Sequence, residues 1–468
     1  MDKRYYLLIL LALGLLTRFA FFGHPNQTVF DEVHFGKFIS GYYTHEYFFD
    51  IHPPLGKLMI AGFAKLFDFK PGFAFTDIGN QYPDQQYMIL RFLPSLAGAL
   101  LPAIIFLLAL EIGLAPLYAL TAGMLIVLDN AILTQSIYIL MDAFLLSFGF
   151  ASLLFYFKYR NGKGNKHLIL FTIFASLAAS IKWTGLGFFA LPFIFEFFSF
   201  LKNRQYKSIF KLAILPLIAF LIYFAFFAIH LKILNKSGTG DAFMSMGFRK
   251  TLIGNQVPLD QSVIEANIFQ KFSQLNIEMY KANQGLNAGH PYGSAWYTWP
   301  LMSRPIFYWV GSTSSPQVNG QSRIYLMGNP TIWWATTLAV VFLLTSYIYY
   351  GFKNSLKFIP TFLIAGYILN LLPFIGVKRV MFLYHYFTAL IFSILILVYL
   401  LDTSTGSTSS PQASSVQAKI TTRKSSKWII GALIALSTVT FIYFAPLSYG
   451  LNLSPRAYEL RVWLASWR

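Results

Sequence analysis

A dense group of ionisable side chains lies in one short stretch, residues 28–58, TVFDEVHFGKFISGYYTHEYFFDIHPPLGKL. It contains the adjacent carboxylates Asp31 and Glu32, and His34 and His52 follow them. Such a cluster stands out in a chain of which only 12% is charged. A carboxylate can remove a proton from an incoming hydroxyl group, and ionisable groups beside hydrocarbon are usually kept for chemistry or transport. This stretch is therefore the first candidate for a catalytic site.

Aromatic residues alternate with these charges along the same stretch. A plain alternative is a loop whose charges only face water. The aromatic side chains favour a segment held at a membrane surface, because amphipathic segments lie there with their apolar side towards lipid. We therefore expect interfacial helices at about 33–48 and 55–67. Pro53 and Pro54 separate them, because proline interrupts helical hydrogen bonding.

The composition predicts an all-α polytopic membrane protein. The chain has 468 residues, of which 56% are hydrophobic and 49 are Phe, and this excludes an ordinary soluble domain. Apolar runs of spanning length predict about eleven transmembrane helices. The runs lie at 5–22, 87–110, 114–128, 132–157, 167–183, 185–201, 209–231, 331–352, 358–376, 380–401 and 428–446.

Charge and cysteine content narrow the function further. The net charge of +18 would suit a nucleic-acid partner only if the basic residues shared one folded face. They lie instead mostly in short loops between apolar runs, so we expect a lipid bilayer and no nucleic acid as partner. The chain contains no cysteine, which excludes thiolate catalysis and Cys-ligated zinc.

The positive-inside rule orients the chain with its N-terminus in the cytoplasm, and we expect the first span to be an uncleaved signal anchor. This orientation places the loop 23–86, the long loop 232–330 and the C-terminus outside the cytoplasm. The chain then divides into an N-terminal transmembrane catalytic region, 1–231, the long extracytoplasmic loop and a C-terminal transmembrane region, 331–468. The last region contains a low-complexity stretch at 402–427, which we expect to be a cytoplasmic linker.

Five basic residues break the positive-inside rule because they fall at the outer ends of spans. They are Arg18, Arg91, Lys182, Lys378 and Arg379. Any single one could be a side chain that extends to the headgroup layer. Together with a carboxylate pair on the same face, they have the charge to hold a phosphate while a group is transferred from a phospholipid-linked donor. The sequence contains no P-loop or dinucleotide motif, so a soluble nucleotide donor is not expected.

At these residues the chain also resembles a known family, the protein O-mannosyltransferases of the GT-C class, which use polyprenyl-phosphate mannose. The resemblance covers nearly the whole chain in the right order, and the acidic pair followed by His-Pro-Pro-Leu is specific. Its motifs are Phe30-Asp31-Glu32-x-His34-Phe35, Phe49-Asp50-x-His52-Pro53-Pro54-Leu55-x-Lys57, Leu90-Arg91-Phe92-x-Pro94, Leu140-Met141-Asp142, Ile181-Lys182-Trp183-x-Gly185, His290-Pro291-Tyr292-x-Ser294-x-Trp296-x-x-Trp299-Pro300 with Arg304-Pro305, and Phe382-Leu383-Tyr384-His385-Tyr386-Phe387.

The resemblance implies a GT-C fold with about eleven transmembrane helices and interfacial helices in the first outer loop. It implies that Asp31 is the base acting on a Ser or Thr hydroxyl, that Glu32 supports it, and that transfer inverts the anomeric carbon of mannose. The expected donor-phosphate ligands are Arg91, Lys182, Lys378 and Arg379. The expected donor- or acceptor-positioning residues are His34, His52, Trp296, Trp299, Tyr384 and His385. No metal and no cofactor are expected.

The same resemblance implies the partners and the location. The expected partners are polyprenyl-phosphate-linked mannose, a secreted or membrane protein acceptor and the lipid bilayer. The stretch 232–330 is too short for the MIR-type β-trefoil of eukaryotic members. We therefore expect a bacterial-type enzyme in the plasma membrane, with its active site on the extracytoplasmic side.

Two other functions stay open. A sister GT-C enzyme could use the same carboxylate and cations to modify a lipid or polysaccharide. A transporter is less favoured, because paired halves are not visible and the charges gather at one face. Individual residues also have structural alternatives. Trp296 and Trp299 could be membrane-interface anchors, and Asp142 could belong to a buried polar network.

Overall fold

The computed structural model describes residues 2–203, 206–256, 262–285, 289–311, 320–350, 357–404 and 416–468. Its α-helices are α1 (Lys3–Phe19), α2 (Glu32–Thr44), α3 (Leu55–Lys65), α4 (Gln86–Glu111), α5 (Pro116–Val127), α6 (Asn130–Ser136), α7 (Asp142–Arg160), α8 (Lys166–Ile181), α9 (Leu186–Asn203), α10 (Tyr206–Ile233), α11 (Met246–Arg249), α12 (Ile268–Gly285), α13 (Pro330–Tyr350), α14 (Phe358–Leu369), α15 (Phe387–Thr403), α16 (Val416–Tyr449) and α17 (Pro455–Glu459). The strands β1 (Ile306–Val310), β2 (Gln321–Leu326) and β3 (Asn452–Leu453) form one antiparallel sheet in that order.

The fold confirms an all-α polytopic membrane protein. Seven helices in the described ranges are long and apolar enough to cross a membrane. An eighth span results if the bent pair of α5 and α6 is taken as one. The apolar helix α8, with 16 residues, is shorter than these spans. The predicted count of about eleven spans is therefore not confirmed.

The spans differ in how much of their surface the bundle covers. The span that contains α15 is 72% buried and α4 is 61% buried, so these two lie at the centre. The spans of α9 and α10 are each only 22% buried, which places them at the periphery, where most of their side chains face away from the protein. Apolar side chains at such positions are stable in lipid.

The predicted span at 132–157 is wrong as a single helix. The chain forms α6, leaves the helical conformation at 137–141, and restarts as α7. Helix α6 itself follows α5 after a bend of 60°. The start of α6 after this bend has a local cause, because Asp129 caps α6 by accepting a hydrogen bond from the backbone N–H of Ile132 at 2.9 Å.

The first outer loop contains two helices where the sequence predicted interfacial ones. Helix α2 matches the predicted 33–48 and α3 matches 55–67, with Pro53 and Pro54 between them. Their position relative to a membrane surface stays a prediction. Helix α2 directly follows Asp31, so the acidic pair stands at its N-terminal end.

The predicted long loop, 232–330, contains α11, α12 and the strands β1 and β2. This region packs on the first outer loop, since the backbone N–H of Phe30 donates to the carbonyl of Tyr308 at 3.2 Å. The predicted linker is covered only in part. Helix α15 ends at Thr403, residues 405–415 lie outside the described ranges, and α16 begins at Val416. The predicted division into three regions stays a prediction.

Candidate active site

The carboxyl group of Asp31 is held in place by the residue before it. Phe30 has a positive φ of 48°, a strained conformation for a bulky residue. Its ring stacks on Tyr308, with 4.0 Å between ring centroids and 6° between ring planes. Tyr308 is fully buried and donates a hydrogen bond to Gln135. The half-buried Asp31 side chain makes no capping bond to α2, so its oxygens stay available for other partners.

The charge state of Asp31 is set by its surroundings. Burial raises the pKa of its carboxyl group from 3.8 to about 6, because the charged form loses hydration. The positive charges of His34 and Lys182 oppose this rise in pKa, while the carboxylates of Asp142 and Asp50 add to it. The carboxyl group of Asp31 is thus poised to exchange a proton close to neutral pH.

A cavity of about 410 Å³ lies close to Asp31. Asp31 is not one of its lining residues, but the charges of two of them, Lys182 and Asp142, act on the Asp31 carboxyl group. Polar groups in the cavity wall come from distant parts of the chain and include His52, Asp142, Lys182, Arg379 and His385. Much of the remaining wall is apolar, with side chains from α7, α9 and α14. The cavity therefore combines two cations with an apolar surface, which suits a phosphate attached to a lipid.

Lys182 follows directly after α8 and points its ammonium group towards Asp142. The Nζ atom lies 2.8 Å and 2.9 Å from the two carboxylate oxygens, and both side chains are nearly buried. Asp142 also accepts a hydrogen bond from Gln135 at 2.7 Å. The Lys182 ammonium lies 5.0 Å from the centre of the Tyr384 ring, a favourable cation–π distance. The cation is thus fixed by partners on both sides.

Arg379 is oriented by His385. One guanidinium N–H group, at Nη2, donates to Nε2 of His385 at 3.1 Å. Since arginine can only donate, Nε2 accepts, and Nδ1 carries the proton and donates to the carbonyl of Phe382 at 2.9 Å. The His385 ring stacks on buried Trp299 at 5.8 Å and on Tyr384 at 4.6 Å. Trp299 therefore supports the site from behind His385.

His52 lies in a turn that a buried ion pair stabilises. The Lys57 ammonium is paired with Asp50, and it also donates to the backbone carbonyls of His52 at 3.1 Å and Pro53 at 3.2 Å. Burial holds the pKa of His52 well below its ordinary value, and the positive charge of Lys182 contributes to the lowering. The imidazole is therefore neutral and can act as a hydrogen-bond donor or acceptor in the cavity.

Glu32 and Arg91 form a buried ion pair, which bears on the predicted roles of both residues. Nε and Nη2 of Arg91 each lie 2.7 Å from one Glu32 oxygen, and both side chains are 0% exposed. Glu32 also accepts from the backbone N–H groups of Val29 and Ile139 and from the Tyr82 hydroxyl. Its carboxylate is saturated by these donors, which fits the expected supporting role of Glu32 beside Asp31.

Four of the five N–H groups of Arg91 are used by protein acceptors, and its side chain is 0% exposed, so Arg91 is not placed to hold a donor phosphate. Its Nη1 donates to the carbonyl of Pro25 at 2.7 Å, and its Nη2 also donates to the carbonyl of Gln27 at 2.9 Å. The guanidinium is packed against Tyr87 at 4.9 Å and Tyr138 at 5.0 Å. The ion pair therefore connects α4 to the first outer loop. It also holds the break before α7, because the backbone N–H of Ile139, which has no helical partner there, donates to Glu32.

We expect Arg91→Ala to destabilise the fold by about 3–5 kcal/mol, because it leaves the Glu32 carboxylate buried without a cation. The measurement is thermal unfolding of the purified protein in detergent. Arg160→Ala is the matched control, since Arg160 and Glu196 form a partly exposed pair for which about 1 kcal/mol or less is expected. If Arg91→Ala unfolds at the same temperature as the unmodified protein but binds donor more weakly, Arg91 is a ligand of the donor phosphate after all.

Other predicted site residues are placed differently. Lys378 is exposed and is not part of the described cavity wall, although its neighbour Arg379 is. Trp296 is half-buried against Tyr297 at 5.7 Å and does not line this cavity either. His34 is exposed near Asp31, one turn along α2. Arg18, one of the five exceptional cations, is buried and donates to backbone carbonyls of α5.

The sequence reasoning missed several groups that complete the site. Tyr308 and Gln135 support the base and the Asp142 carboxylate, and no sequence motif connected them to Asp31. For Asp142 the sequence favoured a place in a buried polar network. The structure adds that Asp142 pairs with Lys182, one of the two cations of the cavity. Its position in a Leu-Met-Asp run at the start of an apolar segment was the available signal. In the described ranges, no three His, Asp or Glu side chains are grouped so that they could hold a metal ion.

Comparison with known proteins accounts for this arrangement. Residues 8–235 match the family model for dolichyl-phosphate-mannose-protein mannosyltransferase. Residues 268–467 match the model for the C-terminal four-transmembrane region of protein O-mannosyltransferase. The first range contains the acidic pair and Lys182, and the second contains Arg379 and His385.

Curated relatives agree over about half of the chain. Dolichyl-phosphate-mannose–protein mannosyltransferase 1 of Candida albicans is 34% identical over 276 residues, which are 55% of this chain and 32% of the relative. The enzyme of the same name from Saccharomyces cerevisiae is 35% identical over 250 residues, 50% of this chain and 31% of the relative. The match thus spans only about one third of the length of these relatives.

Solved structures show the same fold. The S. cerevisiae protein O-mannosyltransferase Pmt1-Pmt2 complex bound to the sugar donor superposes with a TM-score of 0.88 at 20% identity, covering 100% of this chain and 93% of that one. An Archaeoglobus fulgidus oligosaccharyltransferase is more distant, with a TM-score of 0.56 at 12% identity over 98% of this chain and 57% of that one. The fold is therefore of the GT-C type. Since the two family models together cover most of the sequence in order, the chain belongs to the protein O-mannosyltransferase family.

Proposed function

We propose that this protein transfers mannose from a polyprenyl-phosphate-mannose donor to Ser or Thr hydroxyl groups of protein acceptors. The observation that carries the proposal is that Asp31, with its raised pKa, lies within electrostatic reach of Lys182 and Asp142, which line a largely apolar cavity that also contains Arg379. The family models support the same reaction class, and so do the relatives, which are named as mannosyltransferases acting on protein.

The proposed reaction is a single displacement. The hydroxyl oxygen of the acceptor attacks the anomeric carbon from the side opposite the phosphate, and Asp31 takes the hydroxyl proton. The bond between the anomeric carbon and the phosphate oxygen breaks, and its electron pair leaves with the phosphate. The configuration at the anomeric carbon is therefore inverted, so a β-linked donor gives an α-mannoside.

Lys182 and Arg379 stabilise the charge on the departing lipid phosphate. The donor is a phosphodiester with one negative charge, and it becomes a phosphate monoester with a second negative charge when the sugar leaves. Fixed cations in the cavity stabilise this added charge without reorganisation. A separate acid for the leaving group is then unnecessary. The ion pair of Lys182 with Asp142 and the contact of Arg379 with His385 keep both cations positioned before the donor binds.

The proposed location is a bacterial plasma membrane, with the N-terminus in the cytoplasm and the active site on the extracytoplasmic side. The distribution of Lys and Arg between the loops supports this orientation. In such a membrane the cavity would meet a lipid-linked donor and secreted or membrane protein acceptors on the same side.

A transfer assay with purified protein tests the proposal. Polyprenyl-phosphate-[³H]mannose is incubated with the protein and either a Ser/Thr-containing peptide or a membrane glycan acceptor. We expect label in the peptide, as an α-mannoside that α-mannosidase releases. Transfer to the glycan alone would replace this function with that of a sister GT-C enzyme, and transport of the donor without transfer would favour a transporter.

A further inference from the structure

A second large cavity lies at the opposite end of α2 from Asp31. Its volume is about 630 Å³, and α2, α3 and the last turns of α10 enclose it. Helix α2 has 13 residues, so its two ends are about 20 Å apart at 1.5 Å per residue. The two cavities share no lining residue. This α2–α3–α10 groove is therefore separate from the candidate active site.

The floor of the groove is apolar. It includes Leu58 and Met59 of α3 and Phe226 and Ile229 of α10. Ile229 is 47% exposed, and Leu66, just beyond α3, is 77% exposed. A contiguous apolar surface at the end of a membrane-spanning helix is stable when lipid chains cover it. The span of α10 ends at Ile233, so the groove lies where the hydrocarbon region gives way to headgroups.

The rim of the groove carries positive charge. Lys65 lies in the last turn of α3, and His45 follows the end of α2; both are exposed and line the groove. Nδ1 of His45 lies 3.0 Å from the carbonyl of Ile233, which can only accept, so Nδ1 donates and Nε2 of the neutral ring is left as an acceptor. In the described part of the chain, Lys65 forms no ion pair with a carboxylate.

The nearest acidic residue in sequence does not cancel this charge. Glu46 follows His45, but it is not among the residues that line the groove. Its carboxylate accepts a hydrogen bond from the Thr44 hydroxyl at 3.3 Å. The exposed Lys232 and Lys236, near the end of α10, add two further positive charges to this part of the surface.

We propose that the α2–α3–α10 groove binds a phospholipid with an anionic headgroup. An acyl chain occupies the apolar floor, the headgroup phosphate is held by Lys65, and Nε2 of His45 accepts a hydrogen bond from a headgroup hydroxyl. The bound lipid fills the space beneath α2 and α3, the two helices that flank Asp31 and the His52 turn. This site is independent of the donor cavity, and its occupant is a membrane lipid and not the sugar donor.

The test is lipid retention by the purified full chain, because it does not depend on transfer activity. The protein is delipidated in a neutral detergent and titrated with phosphatidylglycerol or phosphatidylcholine, and bound lipid is counted by native mass spectrometry. Gly62→Leu fills the groove from its wall. A Cβ atom at Gly62 has nothing within 4 Å, so we expect the fold to accept a larger side chain there. Lys65→Gln removes the rim charge.

We expect one phosphatidylglycerol to bind the unmodified protein tightly and Gly62→Leu to abolish this binding. Lys65→Gln should weaken phosphatidylglycerol binding by about 5-fold and leave phosphatidylcholine binding unchanged. Gly431→Leu is the control for bulk, because Gly431 is an exposed glycine of α16 with equally open surroundings. Lys70→Gln is the control for charge, because Lys70 is exposed and lies beyond α3, outside the groove wall.

Three results would overturn the proposal. Retention of the same lipid by Gly62→Leu would show that the groove is not where lipid binds. If phosphatidylglycerol and phosphatidylcholine bind equally well, and if Lys65→Gln changes neither affinity, the groove does not recognise an anionic headgroup. Displacement of the lipid by an apolar acceptor peptide, with no lipid specificity, would assign the groove to acceptor binding and reject the proposal.

Discussion

Asp31→Asn is expected to lower the rate of mannosyl transfer about 10²- to 10⁴-fold while the protein stays folded and binds donor. The amide has nearly the size of the carboxylate but cannot accept the hydroxyl proton. The fold should tolerate it because the Asp31 side chain makes no capping bond to α2. The measurement is single-turnover transfer from labelled donor to a Ser/Thr peptide, with donor binding measured in parallel. Full activity in this variant would reject Asp31 as the base.

The pH profile gives an independent control for the same residue. Burial raises the pKa of Asp31 to about 6, so the active, ionised form is lost as the pH falls through about 6. Transfer should therefore decline about tenfold for each further unit of pH below that value. His34→Gln should move this acid limb to higher pH, because it removes the positive charge that opposes the raised pKa. An acid limb near pH 4 would contradict the assignment.

Arg379→Ala is expected to weaken donor binding about 10- to 100-fold, because it removes a charge-assisted hydrogen bond to phosphate. In the described contacts, only one of the five N–H groups of Arg379 is used, by His385, so the others can reach a ligand in the cavity. The measurement is the affinity for labelled polyprenyl-phosphate mannose. Acceptor affinity should change much less.

Its neighbour provides the matched control. Lys378→Ala removes the same charge one residue away, at an exposed position that does not line the cavity, so donor affinity should stay the same. Arg379→Lys should recover part of the affinity, because lysine keeps the charge but lacks the planar fork. Equal donor affinity in the unmodified protein and in Arg379→Ala would exclude Arg379 from the phosphate site.

The amino-acid sequence by itself was sufficient for the membrane class and for part of the site. Long apolar runs must form helices in lipid, because only internal hydrogen bonding satisfies the backbone there. The Pro53-Pro54 break and the two helices of the first outer loop were predicted from local preferences, and both helices are present. The family resemblance was visible for a similar reason, since its motifs are short runs of neighbouring residues such as Asp31-Glu32.

Only the tertiary structure decided which of two similar residues does which task. Asp31 and Glu32 are adjacent in sequence, yet Glu32 is saturated by Arg91, 59 residues away, while Asp31 keeps an available carboxyl group. Lys378 and Arg379 are also adjacent, and only Arg379 enters the cavity wall.

The physical reason is that these outcomes depend on burial and on partners that the fold brings from far along the chain. Phe30 is supported by Tyr308, and Lys182 is fixed by Asp142, 40 residues away. Neither pairing can be predicted from local residue spacing or hydropathy. The sequence therefore determined the types of group available for the reaction, and the packing of distant helices decided which of them are free to act.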